Sequence, residues 1–370
     1  MLTLLLSWML IIVISIPFGV MTLKSLSFLR RKELSIAKVD LDLILLLGFS
    51  IVTILASYLS LFIPVNIYLT SFLLVIALGT ILLNKKEYRL MFTKLIEGWK
   101  ELSTSLKIIT GILIIGILVV AASPITHYDF GLFQLQYLKW IQEFSVVPGL
   151  GNLDHRFSFN SHYFIASALF SVIISEEQVI CSLNNFFYAV LVIRLIYHIK
   201  QAYSKQSLML LIFHLLLLGL FIYFMLSALN GLSTDILNNL LVCFTLLFLI
   251  QLNTNKDKKE AIYWTLPFIV CLTITFKLSS ALLIITLLFL LYQVKTWQYF
   301  FYLGACGLLI CIPFLSRNII LSGYLIFPFP PIDIFSVDWK VPMEVVVGEI
   351  ANVKGWARVP YTKELSLIHI

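Results

Sequence analysis

Charge is what this chain has least of. Only 12% of its residues are Asp, Glu, Lys or Arg, while 60% are hydrophobic, and the mean hydropathy is +1.00. A soluble domain carries about a quarter charged residues. An aqueous globule of this composition is therefore excluded, and the expected solvent is a bilayer. Cysteine is sparse and unpatterned: Cys181, Cys243, Cys271, Cys306 and Cys311 all lie in apolar runs, without CxxC or Cys-His spacing. Structural metal knuckles and redox dithiols are thereby excluded, and the five read as small buried hydrophobes. No short-period repeat and no low-complexity linker is present. Met1 opens directly on "MLTLLLSWMLIIVISIPFGVM", without a basic leader, and is expected to start a retained helix rather than a cleaved signal.

What is present is a series of apolar runs. A helix needs about 20 apolar residues to cross hydrocarbon. Candidate spans are 1–21, 40–62, 65–84, 106–122, 179–198, 208–226, 236–252, 261–276, 278–294 and 299–316, about ten crossings. The loops 22–39 (Lys24, Arg30, Arg31, Lys32, Lys38 against Glu33), 85–105 (Lys85, Lys86, Arg89, Lys94, Lys100) and 253–260 (Lys256, Lys258, Lys259) are basic and are expected to face the cytoplasm. The net charge of +7 is accounted for by such loops, and no nucleic-acid partner is expected. The expected fold is an all-α polytopic membrane protein. Residues 1–122 and 179–316 form helical blocks, 123–178 a large outer loop with interfacial helices, and 317–370 an outer Pro/aromatic-rich tail.

The outer loop holds the specialised residues. "GLFQLQYLKWIQEF" spaces Leu132, Leu135, Leu138, Trp140 and Ile141 as an amphipathic interfacial helix. "HYFIASALFSVIIS" at 162–175 is too short to cross, and is expected to lie on or dip into the outer face, with Glu176 and Glu177 outside. Asp129, just before the first helix, is either a helix cap or a carboxylate taking a proton from an acceptor hydroxyl or amine. Asp154, His155 and Arg156 are either loop polarity or, with His127, Asp129 and His162, ligands for a divalent cation. Lys277 either snorkels or touches a phosphate, and Arg317, closing the last span on the outside, suits a phosphate through its guanidinium fork. Asp235 reads as a cap, and Arg194 and His214 as structural. The prolines after Arg317 exclude a further span and leave a coil along the outer surface.

The pattern "HYDFGLFQLQYLKWI…VVPGLGNLDHRFSFNS", followed by "FKLSS" and "RNIILSGYLIFPFPPIDIFSVDWKVP", resembles a bacterial family of polytopic membrane proteins similar in layout to the GT-C glycosyltransferases. The resemblance covers roughly residues 120–345. In GT-C enzymes a large outer loop with surface helices bears an essential acid near the end of the preceding span. The resemblance implies sugar transfer from a polyprenyl-phosphate donor, at the outer leaflet of a bacterial plasma membrane, to an envelope lipid, glycan or protein. It assigns the base role to Asp129, makes Asp154 a second acidic candidate, and gives Arg317 and Lys277 to the donor phosphate, with His127, His155, Arg156 and His162 as further substrate contacts. The chain departs from the pattern in having no paired acid at Asp129 and four expected spans before the loop. Other expectations for such a chain are a flippase of lipid-linked glycans and a non-catalytic subunit of envelope assembly. The ending "LSLIHI" resembles translated adapter read-through, so the natural protein is expected to continue.

Overall fold

The computed structural model describes residues 1–370 except 32, 33, 35, 37, 38, 126, 174–178, 226–228, 255–257 and 357–370. The expected outer acids Glu176 and Glu177, the loop charges Lys32, Glu33, Lys38 and Lys256, and the "LSLIHI" ending lie outside the described residues. The described chain is helical: α1 (Leu2–Arg30), α2 (Leu41–Leu59), α3 (Ile67–Leu83), α4 (Lys85–Lys100), α5 (Thr104–Ala121), α6 (Leu135–Glu143), α7 (His162–Phe170), α8 (Leu183–Ser204), α9 (Leu208–Met225), α10 (Thr234–Thr254), α11 (Lys259–Phe276), α12 (Ile284–Val294), α13 (Trp297–Ser322) and α14 (Met343–Trp356). A two-residue antiparallel pair joins Val172–Ile173 to Val179–Ile180.

Six of these helices (α1, α2, α5, α10, α11 and α13) contain stretches long and apolar enough to cross a membrane, as in a multi-pass membrane protein. A seventh is reached if α3 and α4 are taken as one span bent by 90°. The expected count of ten is not reached by length and composition. The segment 278–294 is split into a 3-10 stretch, Leu278–Leu283, and the eleven-residue α12. The segment 179–198 becomes α8, which buries the polar residues Asn184, Asn185 and Arg194. Two loops expected to be irregular are helical. The first helix runs on past residue 21 to Arg30 and stops where Arg31 turns left-handed at φ 52°. Residues 85–100 form α4.

The chain divides into two units, residues 1–145 with 161–311, and residues 146–160 with 312–370. The segment expected as one outer loop, 123–178, contributes to both.

In the larger unit α1 and α2 touch backbone to backbone. A Cβ on Gly48 would fall 1.7 Å from the Ser15 carbonyl oxygen, and one on Gly19 would fall 2.1 Å from that of Ile44. Small residues permit this approach, which is the usual way apolar helices gain packing in lipid. The short α7 sits at the centre of the unit, packed against α1, α2, α3, α6, α10 and α11. All nine of its residues are buried. A helix lying on the outer face was one of its two expected placements; instead it is enclosed by protein on every side. Burial is possible because its carbonyl end is satisfied by side chains. Gln142 of α6 donates to the Ala168 and Ser171 carbonyls (2.9 and 3.3 Å) and Thr70 of α3 to Leu169 (3.0 Å). Ser7 of α1 and Ser182 both donate to Phe170, at 3.0 and 3.1 Å. At its other end the Ser161 hydroxyl accepts the Tyr163 N–H (3.1 Å) and donates to the Phe276 carbonyl (2.7 Å). The amphipathic pattern expected for 131–144 is realised in α6, whose buried face is Tyr137, Leu138 and Ile141.

In the smaller unit, the "PGLGN" turn docks onto the end of α13 and the segment after it. The Gly149 N–H donates to the Ile320 carbonyl (2.8 Å), and Asn152 to that of Trp339 (2.7 Å). Gly149 is left-handed at φ 68°, and a Cβ on Gly151 would meet Ser158 Oγ at 1.9 Å, so neither position accepts a side chain. Tyr324, Phe327, Val341 and Val346 form the core, with Phe159 packed on it.

Gly48→Leu is expected to force α1 and α2 apart and to lower the thermal unfolding midpoint in detergent, by an amount corresponding to at least about 2 kcal/mol. Gly79→Leu, at a position with open space beside it, is the matched control and is expected to leave the midpoint nearly unchanged.

Candidate functional site

In the larger unit, Tyr128 and Asp129 start a helical turn that continues through a π-helical stretch, Phe130–Gln134, into α6. The Asp129 side chain makes no capping hydrogen bond, so of its two expected roles the cap is not the one the structure displays. Its carboxylate is 45% exposed, and its Oδ2 lies 3.9 Å from His127 Nδ1. The backbone turn itself is closed by Phe130 N–H donating to the His127 carbonyl (3.1 Å). The result is a solvent-facing acid and imidazole side by side at the approach to α6. Such a pair can take up or orient a proton on a bound hydroxyl.

Lys277 belongs to the same unit, where it ends α11. Its ammonium is ion-paired with Asp235 in the first turn of α10, so a phosphate there would have to displace that carboxylate. Asp235 was expected only as a cap; it is an ion-pair partner as well. His162, expected as a substrate contact or cation ligand, is corrected by its burial. It is 0% exposed, and its two ring nitrogens face Ser57 Oγ (2.7 Å) and Thr275 Oγ1 (2.9 Å). In this arrangement it ties α7 to α2 and α11.

The other candidate site residues, Asp154, His155, Arg156 and Arg317, lie in the smaller unit. Asp154 caps the 3-10 turn His155–Ser158, its Oδ1 accepting the Arg156 N–H at 2.9 Å. His155 Nε2 lies 3.0 Å from Glu349 Oε1 on α14, and Arg156 Nη1 lies 3.6 Å from Asp154 Oδ2. The trio thus fixes its own loop against α14. Arg317 does not end α13 but lies within it, only 2% exposed, with Nε 3.5 Å from Asn160 Oδ1. Asp129 and Lys277 are therefore brought into one unit, and Asp154, His155, Arg156 and Arg317 into the other. Among the described residues, no group of three or more His, Cys, Asp and Glu side chains gathers to hold a metal ion. The expected divalent-cation set thus finds no such grouping there.

A second polar centre was not foreseen. At the start of α2, Asp42 is ion-paired with Arg194 of α8, whose Nη2 donates to Gln251 Oε1 of α10 (2.9 Å). Asp40 is ion-paired with Lys258 and accepts from Gln251. The Arg194 guanidinium lies 4.2 Å from the centroid of the Phe248 ring. Burial pushes the Asp40 carboxyl up, but the Lys258 and Arg194 charges and the Gln251 amide outweigh it and hold Asp40 below its ordinary range. Arg194 was expected to be structural, and its partners bear that out. Its acids Asp40 and Asp42 fall at the start of the candidate span 40–62, where nothing local marks a partner for them. Local sequence carries no sign of this pair, because Asp42 and Arg194 are 152 positions apart.

Removing one partner from a buried pair leaves a charge stranded, at about 3–5 kcal/mol. Arg194→Met is therefore expected to lower the unfolding midpoint sharply, and adding Asp42→Leu to recover part of the loss. Because Asp40 titrates low when folded, its contribution is present above the unfolded carboxylate range and is lost as pH falls through its depressed folded value. Thermal scans are expected to show an acid-induced loss below about pH 4 that is smaller in Asp40→Asn.

No match was found among curated proteins or among solved structures. One family model does match, over residues 1–369, and the chain belongs to the family described as "Domain of unknown function (DUF8201)".

Proposed function

We propose that this protein is a membrane glycosyltransferase of the GT-C kind. It transfers a sugar from a polyprenyl-phosphate donor to an envelope lipid, glycan or protein acceptor at the outer face of a bacterial plasma membrane. The observation that carries the reading is Asp129, an exposed carboxylate that makes no cap and stands 3.9 Å from His127. In the proposed step, the acceptor hydroxyl gives its proton to Asp129 as its oxygen bonds to the anomeric carbon. The bond from that carbon to the phosphate oxygen breaks, and polyprenyl phosphate leaves with the electron pair. Lys277, 43% exposed, takes the donor phosphate by exchanging its Asp235 partner for it. His162 has no part in this scheme, being enclosed.

A flippase of lipid-linked glycans is the second reading, and the charged centre around Arg194 favours it, since ionisable groups among membrane helices often mark a path. Its composition argues the other way. Asp40 and Asp42 stand at the first residues of α2, and Gln251 stands in the last turn of α10. Apart from Arg194, which reaches them from midway along α8, these groups gather at helix ends, whereas transport sites are typically found near the middle of the bilayer.

The test uses membranes carrying the full chain, a labelled polyprenyl-phosphate sugar and an acceptor extract. Asp129→Asn is expected to reduce transfer at least about a hundredfold at unchanged protein abundance. Unchanged turnover would discard the base role. Movement of intact labelled lipid across proteoliposomes, with no bond broken, would favour the flippase instead.

A further inference from the structure

The segment 85–100 was expected to be a plain basic loop. It is instead a four-turn helix, α4, that leaves the apolar α3 at 90°. None of its residues is buried. Most of its large side chains share one side: Tyr88, Phe92, Leu95 and Trp99 recur at helical spacing with Ile96 alongside and form one stripe, while Leu90 stands away from it. Phe92, Leu95 and Trp99 are 65%, 51% and 49% exposed. Lys85, Lys86, Arg89 and Lys100 group along one border of that stripe, and all four are exposed. None of them forms an ion pair with another described residue.

The elbow is fixed rather than loose. Lys24 of α1 donates to Asn84 Oδ1 and forms an ion pair with Glu87 at 2.6 Å, while Asn84 Nδ2 donates to the Thr80 carbonyl (2.8 Å). At the far end, Ser103 caps α5 by accepting the Leu106 N–H (3.3 Å), and α5 is one of the helices apolar enough to cross a membrane. The helix α4 is therefore strung between two apolar helices, with a bend pinned at its start, an unpartnered greasy stripe, and cations at the edge of that stripe.

We propose that α4 lies in the plane of the membrane surface and binds anionic lipid headgroups. Phe92, Leu95, Ile96 and Trp99 enter the acyl boundary, and Lys85, Lys86, Arg89 and Lys100 take the lipid phosphates. Charge complementarity commits the stripe to this occupant: a neutral apolar partner would leave the bordering cations unanswered, whereas an acidic lipid surface answers both features at once. The positive-inside rule puts these cations on the cytoplasmic side, the leaflet in which acidic lipids bind polybasic segments. The inference does not depend on the transferase reading.

The test follows Trp99 fluorescence, taken as the difference between the full-length chain and Trp99→Phe, in proteoliposomes of phosphatidylcholine and phosphatidylglycerol at equal mole fraction. Bromine is placed on the acyl chains of one lipid or the other. Trp99 is expected to be quenched by lipid bromine, at least about twofold more strongly when the bromine is on phosphatidylglycerol. The variant Lys85→Gln/Lys86→Gln/Arg89→Gln/Lys100→Gln is expected to keep the quenching and lose the preference. Equal quenching by both lipids in the unaltered chain would overturn the headgroup assignment. Quenching by aqueous iodide alone would put α4 in water, and shielding from both bromine and iodide would mean a protein partner covers it; either result overturns the proposal.

Discussion

A helix that ends inside a protein must hand over its last carbonyls, and in this molecule side chains from distant segments receive most of those of α7, with the Ser171 N–H taking that of Ser167. Each unsatisfied backbone group would cost several kcal/mol away from water. Gln142, Thr70, Ser7 and Ser182 remove that cost by reaching the carbonyls of Ala168, Leu169, Phe170 and Ser171. These side chains come from four segments that are far apart in sequence. Satisfying α7 and gathering α1, α3, α6 and the start of α8 are therefore the same event. The arrangement also explains His162, whose contacts with Ser57 and Thr275 add α2 and α11 to the set.

The polar residues of the larger unit divide into two kinds. One kind is consumed by the fold: His162, Gln142, the serines around Phe170, and the charges Asp40, Asp42, Arg194 and Lys258, whose partners are all inside the protein. The other kind is left facing outward: Asp129 with His127, and the cations of α4. Function is sought in the second kind, because a group already held by protein partners has less to offer a ligand. Lys277 stands between them, half-exposed but paired with Asp235.

Composition alone made the helical, membrane-like character legible, since no water-soluble core accommodates so little charge. Most helix positions were legible too, because hydrocarbon demands long apolar runs: α2, α3, α5, α9, α10 and α11 fall within a few residues of their expected spans, while α13 runs on past its expected end to Ser322. What failed to show was what depends on distant partners. "HYFIASALF" has the same composition whether it lies on a surface or fills a core; only the side chains that receive its carbonyls decide, and they lie up to 163 positions away. Arg194 looked isolated for the same reason. The periodicity of 85–100 was legible in principle, but its five cations drew attention to topology and away from the stripe between them. At the candidate site, the position of Asp129 just before a helix was readable, whereas its lack of a cap bond was not, because one residue type serves either role.

The carbonyl end of α7 carries a consequence for biogenesis. During synthesis the donors Ser7, Thr70 and Gln142 are made before α7, whereas Thr275 and the Phe276 carbonyl, which receive His162 and Ser161 at its other end, are made long after it. The carbonyl end can therefore be received as soon as α7 docks, while the closure of its other end waits until residues near 276 have been made.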